Sequence, residues 1–285
     1  MSIRLFLMGL IFLSSARLIF LSSAQAADQT LTLGVFPRFS ASDTTKRYSP
    51  LAEHLATRLG VQITLSTSRD FQSFWRALME LRYDIVQYNQ YHYIRSSRNY
   101  QVIAHNKEFG KSTIAGVLYV RKDSGITDLK QLKGARVLFG GGEDAMISYI
   151  APMYMLLQAG LSKHDFQSQF AVTPMNSVIG VYHRQAEAAG SGDMVIDQPA
   201  IKNAINPEEL TVLAVSEQVL HLPWAVRRTM PAQLREAIQA ALVDLENSES
   251  GREVLKAALL SGIGKAQDRD YDAARKMVRA VLNAH

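Results

Sequence analysis

The chain has 285 residues, of which 47% are hydrophobic and 20% are charged, and its formal net charge is +5. These proportions are ordinary for a folded globular protein, and the basic residues are too scattered to indicate a nucleic-acid-binding surface. The sequence contains no cysteine, which excludes disulfides and lipid attachment through a cysteine. The length allows one large domain or two lobes of roughly 100 to 150 residues.

The first 26 residues are organised like a secretory signal peptide. The basic segment MSIR precedes the apolar runs LFLMGLIFL and LIFL, and Ala24 and Ala26 supply an A-x-A cleavage signal. The alternative is an uncleaved membrane anchor, but Arg17 and several serines interrupt the apolar stretch before it reaches the roughly 18 residues that a span needs. We therefore expect residues 1–26 to be removed and the protein to be periplasmic.

From residue 31 onward, strand patterns alternate with helix patterns. TLTLGVF predicts a strand, a polar loop (PRFSASDTTKR) follows, and YSPLAEHLATRL predicts a helix that ends at Gly60, a typical C-cap residue. The strand VQITLSTS, the helix FQSFWRALMELR and the short strand YDIVQY complete this unit. Strands that alternate with helices favour an α/β fold with a mostly parallel sheet covered on both faces.

A second unit of the same kind follows. STIAGVLYVRK and ARVLFG predict strands, and MISYIAPMYMLLQAG predicts a helix with Pro152 near its first turn. The strand FQSQFAVT, the helix SVIGVYHRQAEAAG and the strand DMVIDQP come next, and amphipathic helices run from Pro231 to the end. The pattern predicts two α/β lobes between which the chain crosses near 113–120 and again near 213–230. Lobe 1 is predicted over 27–115 and 228–285, and lobe 2 over 116–227.

The stretch FGGGEDAMISYIAP, residues 139–152, has the layout of an anion-binding helix start. Its glycines, Gly142 among them, follow a predicted strand and precede a predicted helix, where backbone N–H groups and the helix dipole attract anions. Glu143 and Asp144 come next and would repel an anion. The alternative is that Asp144 only caps the helix.

Two segments at the ends of strands in the first unit carry candidate ligand contacts. Phe36 and Arg38 follow the first strand, and Arg38 either pairs with an anionic ligand or is solvated. QYNQYHY follows a buried strand and combines aromatic rings with hydrogen-bonding tips, which suits small polar ligands and cationic groups, although some of these side chains are alternatively packing residues. The candidate contacts in this segment are Tyr88, Asn89, Tyr91, His92 and Tyr93.

The second unit supplies two further candidates. Asn176 precedes a predicted helix, and Asp193 lies beside the strand DMVIDQP. Asp193 either accepts a hydrogen bond from a ligand hydroxyl or amine or caps the turn GSGD. Both positions are where ligands of α/β folds bind.

Catalytic and metal-binding patterns are missing from the sequence. It has no Gly-x-Ser-x-Gly elbow, no Walker loop and no His-Glu-x-x-His motif. Methionines such as Met153 and Met155 are spaced as in a packed helix core. We expect no catalytic residue, no metal and no cofactor.

Several motifs together resemble the periplasmic phosphonate/phosphite/phosphate-binding proteins of ABC importers, which are type 2 periplasmic binding proteins. The similar segments are LTLGVFPRF, YSPLAEHLATRLGVQITLSTSRDFQSFWRAL, YDIVQYNQYHY, VLYVRKDSGITDLKQLKGARVLFG, LLQAGL, PWAVRRTMPAQLREAIQAALVDL and DYDAARKMV. Their order over about 250 residues carries the resemblance. It implies a venus-flytrap fold with two lobes, a two-segment hinge and ligand in the cleft.

The resemblance also implies roles for individual positions. Tyr93 is aligned with a ligand-contacting position, and Asn176 lies near a position that is often a ligand-contacting histidine. In the family, a Ser-Thr-Ser trio at a helix start holds the phosphonate oxygens, whereas this sequence has Ala145, Met146 and Ile147 there. The hydroxyl groups of the oxyanion clamp are therefore missing.

The functional hypothesis is a periplasmic solute-binding protein that delivers a small polar ligand to an ABC permease. The ligand is either a phosphonate-like or phosphate-like oxyanion or a different small solute. One alternative is a sensing subunit that presents its ligand to a membrane sensor kinase, and another is an enzyme on the same fold. We expect a monomer that binds no nucleic acid.

Overall fold

The computed structural model describes residues 30–284, and its larger sheet combines strands from both ends of that range. The predicted signal peptide, 1–26, lies outside the described residues. The six strands lie in the order β13-β4-β12-β3-β1-β2, in which β1 is parallel to β2 and β3, and β12 is antiparallel to β3 and β4. They are β1 (Thr30–Val35), β2 (Gln62–Ser66), β3 (Ile85–Gln87), β4 (Tyr100–Lys107), β12 (Pro223–Arg227) and β13 (Gly262–Lys265).

The second sheet has five strands in the order β10-β6-β9-β7-β8. Strand β7 is parallel to β8 and β9, whereas β6 is antiparallel to β9 and β10. These strands are β6 (Gly116–Arg121), β7 (Arg136–Gly140), β8 (Gln167–Ala171), β9 (Ala188–Gly192) and β10 (Leu210–Val215). A short antiparallel pair, β5 (Thr113–Ile114) with β11 (Val219–Leu220), joins the two sheets, and we call it the crossover ribbon.

Helices cover both sheets, which confirms the predicted α/β fold, and each sheet mixes parallel with antiparallel strand pairs instead of being mostly parallel. Beside the six-stranded sheet lie α1 (Ala41–Leu59), α2 (Phe71–Met79), α3 (Gln90–Ser96), α7 (Ala232–Val243) and α8 (Glu249–Ala257). Beside the five-stranded sheet lie a π-helical turn (Met146–Ile150) that continues into α4 (Ala151–Gln158), then α5 (Pro174–Tyr182) and α6 (Pro199–Ala204). Helix α9 (Asp272–Leu282) ends the described chain.

Helix α1 begins earlier than its sequence pattern indicated. The predicted polar loop already forms helix from Ala41, because the Ser40 side chain accepts a hydrogen bond from the Asp43 N–H and caps the first turn. Pro50 consequently lies inside the helix. The predicted end is confirmed, since Gly60 has φ 67° and adopts the left-handed conformation of a C-cap glycine.

The strand in the middle of the five-stranded sheet is not where the sequence pattern placed it. The predicted helix through QAEAAG ends at Tyr182, and the strand is Ala188–Gly192 rather than DMVIDQP. The small residues are needed because a Cβ atom on Gly190 would lie 2.5 Å from the Phe139 ring and 2.6 Å from the Ser148 carbonyl oxygen. The close packing of the π-helical turn thus selects residues of low strand propensity.

Apolar clusters lie on both faces of each sheet. On the six-stranded sheet, one cluster includes Leu33, Leu55 and Trp224, and the other includes Phe74 and Tyr93. The five-stranded sheet carries two further clusters. One of them contains the apolar face of α9, namely Ala274, Met277, Val278 and Val281. This burial is the main stabilising term for both halves of the molecule.

The sheets divide the chain differently from the simple ranges predicted for the lobes. Strand β12 lies within the range 116–227 but pairs with β3 and β4 of the six-stranded sheet. Helix α9 lies within 228–285 but packs against the core of the five-stranded sheet. Between residues 30 and 284, no helix is long and apolar enough to cross a membrane.

Candidate ligand-binding site

The carboxyl end of β3 meets the end of β1 beside the crossover ribbon. The Phe36 N–H donates to the Gln87 carbonyl oxygen at 3.0 Å, so the loop after β1 lies against the end of β3. Across the sheet, the Tyr88 N–H donates to the Pro223 carbonyl oxygen at 3.2 Å. Strand ends and crossing segments therefore meet in one region, which is where ligands of open α/β sheets bind.

An ion pair joins the loop after β1 to the residue that follows β4. The Arg38 guanidinium donates to both carboxylate oxygens of Glu108, at 2.6 and 3.1 Å. Burial of Glu108 disfavours its charged form, but the charge and hydrogen bonds of Arg38 outweigh this effect and lower the pKa of Glu108. Arg38 is thus neither simply solvated nor unpaired, because the chain itself supplies its bidentate carboxylate partner.

A neutral histidine lies next to this pair. His221 is 1% exposed, and its Nδ1 accepts a hydrogen bond from the Leu222 N–H at 2.8 Å, so the ring proton is on Nε2. Nε2 lies 3.8 Å from Glu108 Oε2, beyond hydrogen-bond distance. Burial lowers the pKa of His221 to about 4 despite the attraction of Glu108. His221 is therefore uncharged at neutral pH.

Several buried polar side-chain atoms have no hydrogen-bond partner within residues 30–284. They are both side-chain atoms of the Gln87 amide, Gln90 Oε1, Asp193 Oδ1, His221 Nε2 and Arg47 Nε. Gln87 and Gln90 are fully buried, and an unpaired buried polar group costs about 1 to 3 kcal/mol. Unpaired polar groups destabilise a core, and a bound polar solute would supply their missing hydrogen-bond partners.

Two of these groups are tied to the ribbon from opposite sheets. Gln90, at the start of α3, donates through Nε2 to the Leu220 carbonyl oxygen at 2.9 Å. Asp193, which follows β9, is held by its N–H to the Ala115 carbonyl oxygen at 3.0 Å and accepts from Gln218 Nε2 at 3.4 Å. The two residues therefore belong to different sheets, and Gln90 contacts the crossover ribbon itself while Asp193 contacts residues next to it.

The start of α3 contacts the segment that precedes the π-helical turn. Asn89 Nδ2 donates to the Asp144 carbonyl oxygen at 3.0 Å, and His92 Nε2 lies 3.5 Å from Asp144 Oδ2. Asn89 Oδ1 also accepts from the His92 N–H, so it caps α3. Burial disfavours the Asp144 charge, but the interaction with His92 outweighs it and lowers the pKa of Asp144. The predicted residues Asn89, His92 and Asp144 thus form one contact between the two halves.

The interpretation of Asp144 as a helix cap is wrong. The helical turn begins at Met146 after Ala145, which makes no side-chain capping hydrogen bond. The Asp144 carboxylate instead faces His92. Gly142 accepts the Ala145 N–H through its carbonyl oxygen in a tight turn, and no serine or threonine hydroxyl lies among residues 141–147.

Three of the predicted aromatic contacts are buried in the core. Tyr88 donates to or accepts from Ser96 Oγ at 3.1 Å, and Tyr93 donates to Asp268. Phe36 packs against Phe71 with ring centroids 5.9 Å apart. All three side chains belong to one apolar cluster, which for Tyr88 and Tyr93 matches the packing alternative for the segment QYNQYHY.

Three further predicted residues, Tyr91, Glu143 and Asn176, carry none of the buried unpartnered atoms. Tyr91 and Glu143 line a cavity of about 220 Å³ together with Asp144 and Lys163. Asn176 is exposed in the first turn of α5, where its N–H bonds to the Thr173 hydroxyl at 3.2 Å. Asp193 is the predicted lobe 2 residue that reaches the ribbon.

Sequence reasoning missed Glu108, His221 and Gln90. Glu108 follows β4, for which no strand was predicted, although VIAHNKE is an apolar run that ends in polar residues, as at other strand ends. Gln90 belongs to the quoted polar-aromatic segment but was not singled out. His221 carries no local signal, because its role depends on the approach of Glu108 from a distant strand.

The side chains of residues 30–284 contain no group of three histidine, cysteine, aspartate or glutamate residues that is placed to hold a metal ion. The unpartnered polar groups are two amides, a carboxylate, an imidazole and a guanidinium group. This chemistry suits hydrogen bonding to a small polar molecule.

Comparison with known proteins gives consistent matches over nearly the whole described chain. Among solved structures, a Xanthomonas citri protein bound to ATP superposes with a TM-score of 0.78 at 15% identity, covering 90% of this chain and 98% of that one. PhnD1 from Prochlorococcus marinus in complex with methylphosphonate gives a TM-score of 0.74 at 18% identity, covering 90% and 99%. These likenesses show the fold, which is that of the type 2 periplasmic binding proteins.

A third similar structure is the binding protein component of an ABC phosphonate transporter from Pseudomonas aeruginosa, with a TM-score of 0.72 at 14% identity, covering 90% of this chain and 87% of that one. The family model described as "ABC transporter, phosphonate, periplasmic substrate-binding protein" matches residues 33–271. That family consists of transport components and not of enzymes. The chain belongs to the periplasmic substrate-binding proteins of phosphonate ABC transporters.

Proposed function

We propose that this chain binds a small polar solute beside the crossover ribbon and delivers it to an ABC permease. The observation that carries the proposal is the set of buried, unpartnered polar atoms on Gln87, Gln90, Asp193 and His221. A protein without a ligand would gain stability by replacing them with apolar side chains, so their presence indicates selection for binding. Family membership supplies the transport context.

The crossover ribbon is the proposed hinge between two lobes. In this proposal lobe 1 contains the six-stranded sheet, including β12, and lobe 2 contains the five-stranded sheet. Helix α9 packs on the core of lobe 2 and so connects the C-terminal part of the chain to it. Closure of the lobes around a solute would bring Gln90 and Asp193 onto it from opposite sides.

We further propose that residues 1–26 are a cleaved signal peptide and that the exported protein acts as a monomer. The A-x-A signal at Ala24 and Ala26 supports the first point. Mass spectrometry of the protein recovered from the periplasm tests it, since cleavage after Ala26 leaves Ala27 as the first residue. Light scattering of the same sample measures the molecular mass and so tests the second point.

Solute binding is tested by a thermal-shift screen of the exported protein. Phosphonates, phosphate, amines and small organic acids are added singly, and a binding solute raises the melting temperature by mass action. Small-angle scattering of each positive sample reports closure as a smaller radius of gyration. Uptake of the same solute by cells with and without the gene then tests delivery. Failure of every class to stabilise the protein contradicts the proposal, and binding without any effect on uptake contradicts delivery.

A further inference from the structure

The turn after β4 holds an aromatic side chain in solvent. Glu108 and Lys111 exchange backbone hydrogen bonds of 3.1 and 2.9 Å, so Phe109 and Gly110 form a two-residue turn with φ 51° and 75°. Such turns favour asparagine followed by glycine, because a bulky side chain is strained at positive φ. Phe109 is 67% exposed, so neither turn chemistry nor core packing explains a phenylalanine here. Strain that the fold does not need points to a function.

A second exposed apolar side chain lies on the neighbouring loop. Leu259 follows α8 at a position where helices usually carry glycine, and it is 54% exposed with φ 58°. Its loop is held against the turn by two hydrogen bonds. The Ser261 N–H donates to the Lys107 carbonyl oxygen at 2.8 Å, and Ser261 Oγ accepts from the Gly110 N–H at 2.9 Å.

The turn also carries positive charge. Lys107, before the turn, pairs with Glu246, with Nζ and Oε1 2.8 Å apart, whereas the exposed Lys111 takes part in no ion pair in the described part of the chain. Lys111 therefore leaves the surface beside Phe109 positively charged. We call Phe109, Lys111 and Leu259 the exposed tip. Its chemistry complements an apolar pocket with an acidic rim.

The exposed tip lies at the edge of the sheet that carries the proposed solute site. Strands β3 and β4 are both antiparallel to β12, so Gln87 and Lys107 end their strands at the same edge. Glu108, which precedes Phe109 in the chain, is bound to Arg38 of the loop after β1. A membrane protein that receives the solute has to approach this edge.

Resting on the proposed function, we propose that the exposed tip is a docking surface for the ABC permease, with Phe109 inserted into an apolar pocket that has an acidic rim on the periplasmic face of the permease. Burial of an aromatic anchor supplies much of the affinity of a protein interface, whereas a charge at the rim mainly speeds association. The strained conformation of Phe109 keeps the ring in solvent until the permease covers it.

Docking is measured with the exported protein and the permease encoded beside its gene, reconstituted in lipid nanodiscs. Biolayer interferometry gives the dissociation constant, and nanodiscs of the same lipids without permease are the control. Phe109→Asn should weaken binding at least about tenfold, and Leu259→Asn about threefold. Phe109→Asn should also raise the melting temperature by about 2 to 4 °C, because asparagine suits the turn. A residue kept for stability would give a lower melting temperature.

Leu81→Asn is the matched control. Leu81 also has a positive φ, 56°, and is 39% exposed, but it precedes β3 and so lies at the opposite edge of the sheet. Leu81→Asn should raise the melting temperature in the same way and leave permease binding unchanged within about twofold. Lys111→Glu tests the charge and should weaken binding about tenfold in about 50 mM salt, and less in about 500 mM salt.

The outcomes separate the docking surface from the proposed function. Binding of Phe109→Asn as tight as that of the wild type, or equal losses in Phe109→Asn and Leu81→Asn, overturns the inference and leaves delivery intact. Equal binding of the wild type to nanodiscs with and without permease also overturns the inference, because the protein then binds lipid. A wild type that binds neither overturns both the inference and delivery to this permease, while the solute screen tests solute binding separately.

Discussion

His92 and Asp144 face each other across the two halves of the molecule, with Nε2 and Oδ2 3.5 Å apart. His92 belongs to α3 beside the six-stranded sheet, and Asp144 precedes the helical turn beside the five-stranded sheet. Asn89 adds a hydrogen bond to the Asp144 carbonyl oxygen. These contacts link the two halves of the molecule directly, so we expect them to oppose separation of the proposed lobes.

Replacing the carboxylate should therefore favour separation. We expect Asp144→Asn to lower the free energy of unfolding by roughly 1 kcal/mol and to enlarge the radius of gyration of the ligand-free protein, because a half-buried charged contact is lost. Small-angle scattering and urea unfolding measure the two effects. Glu143→Gln is the matched control, since its exposed side chain lines the same cavity. Equal behaviour of the two variants would contradict a role for this contact.

The pair formed by Arg38 and Glu108 should stabilise the protein more than a surface pair does. Glu108 is almost fully buried, and Glu108→Gln would leave the Arg38 charge without its partner. We expect a loss of about 2 kcal/mol in urea unfolding, less than for a fully buried pair because Arg38 is partly exposed. Asp244→Asn, which removes the exposed partner of Arg58, should cost under about 0.5 kcal/mol. If Glu108→Gln and Asp244→Asn lowered the free energy of unfolding equally, burial of the Arg38–Glu108 pair would not add to its stabilising effect.

His221 should make the protein less stable in mild acid. Its pKa is about 4 in the folded protein against 6.5 as the ordinary value, so the unfolded chain binds the extra proton as the pH falls below 6.5. The histidine therefore lowers the free energy of unfolding progressively between pH 6.5 and 4, by about 3 kcal/mol in all, and has no such effect above pH 7.

The variant His221→Asn should abolish this part of the pH dependence. Asparagine keeps an acceptor for the Leu222 N–H but does not titrate in this range. Unfolding free energies at pH 7.5 and pH 4.5 should differ less in the variant than in the wild type. The exposed His164→Asn should behave like the wild type. A pH dependence that is unchanged in His221→Asn would rule out the buried neutral form.

Gly190 should tolerate no side chain. A Cβ atom there would lie 2.5 Å from the Phe139 ring and 2.6 Å from the Ser148 backbone oxygen, and neither neighbour can move freely. We expect Gly190→Ala to lower the free energy of unfolding by about 3 kcal/mol. At Gly142 the nearest atom is the Asp144 carboxylate at 3.1 Å, a flexible side chain, so Gly142→Ala should cost less than about 1 kcal/mol. Thermal unfolding of both variants measures the difference, and equal losses would contradict the packing argument.

The alternation of strands and helices predicted the fold because each element carries its own periodicity. Strand β1, the C-cap at Gly60 and the helix around Pro152 follow from local patterns. Strand β9 could not be predicted in this way, because its alanines and glycines are selected by neighbours that are distant in sequence. Local propensity is overridden where backbones approach closely.

The residues of the candidate site could be predicted only in part, for a similar reason. Asn89, His92, Asp144 and Asp193 were identified from strand ends and helix starts. Residue type alone does not distinguish a tyrosine that contacts a ligand from one that packs in the core. The packing around Tyr88 and Tyr93 brings their hydroxyl groups to Ser96 and Asp268. The partners of Arg38 and His221 come from segments far along the chain, which a pattern of neighbouring residues does not contain.

The central claim is that the buried amide of Gln87 is kept for a ligand and not for the fold. Gln87→Met removes both unpartnered amide atoms while nearly preserving the side-chain volume. The most direct measurement is urea unfolding of the ligand-free variant and wild type, together with thermal shifts by the best solute of the screen. We expect the variant to be about 1 kcal/mol more stable than the wild type and to lose the solute-induced shift. A variant that is less stable than the wild type, or that keeps the shift, would contradict it.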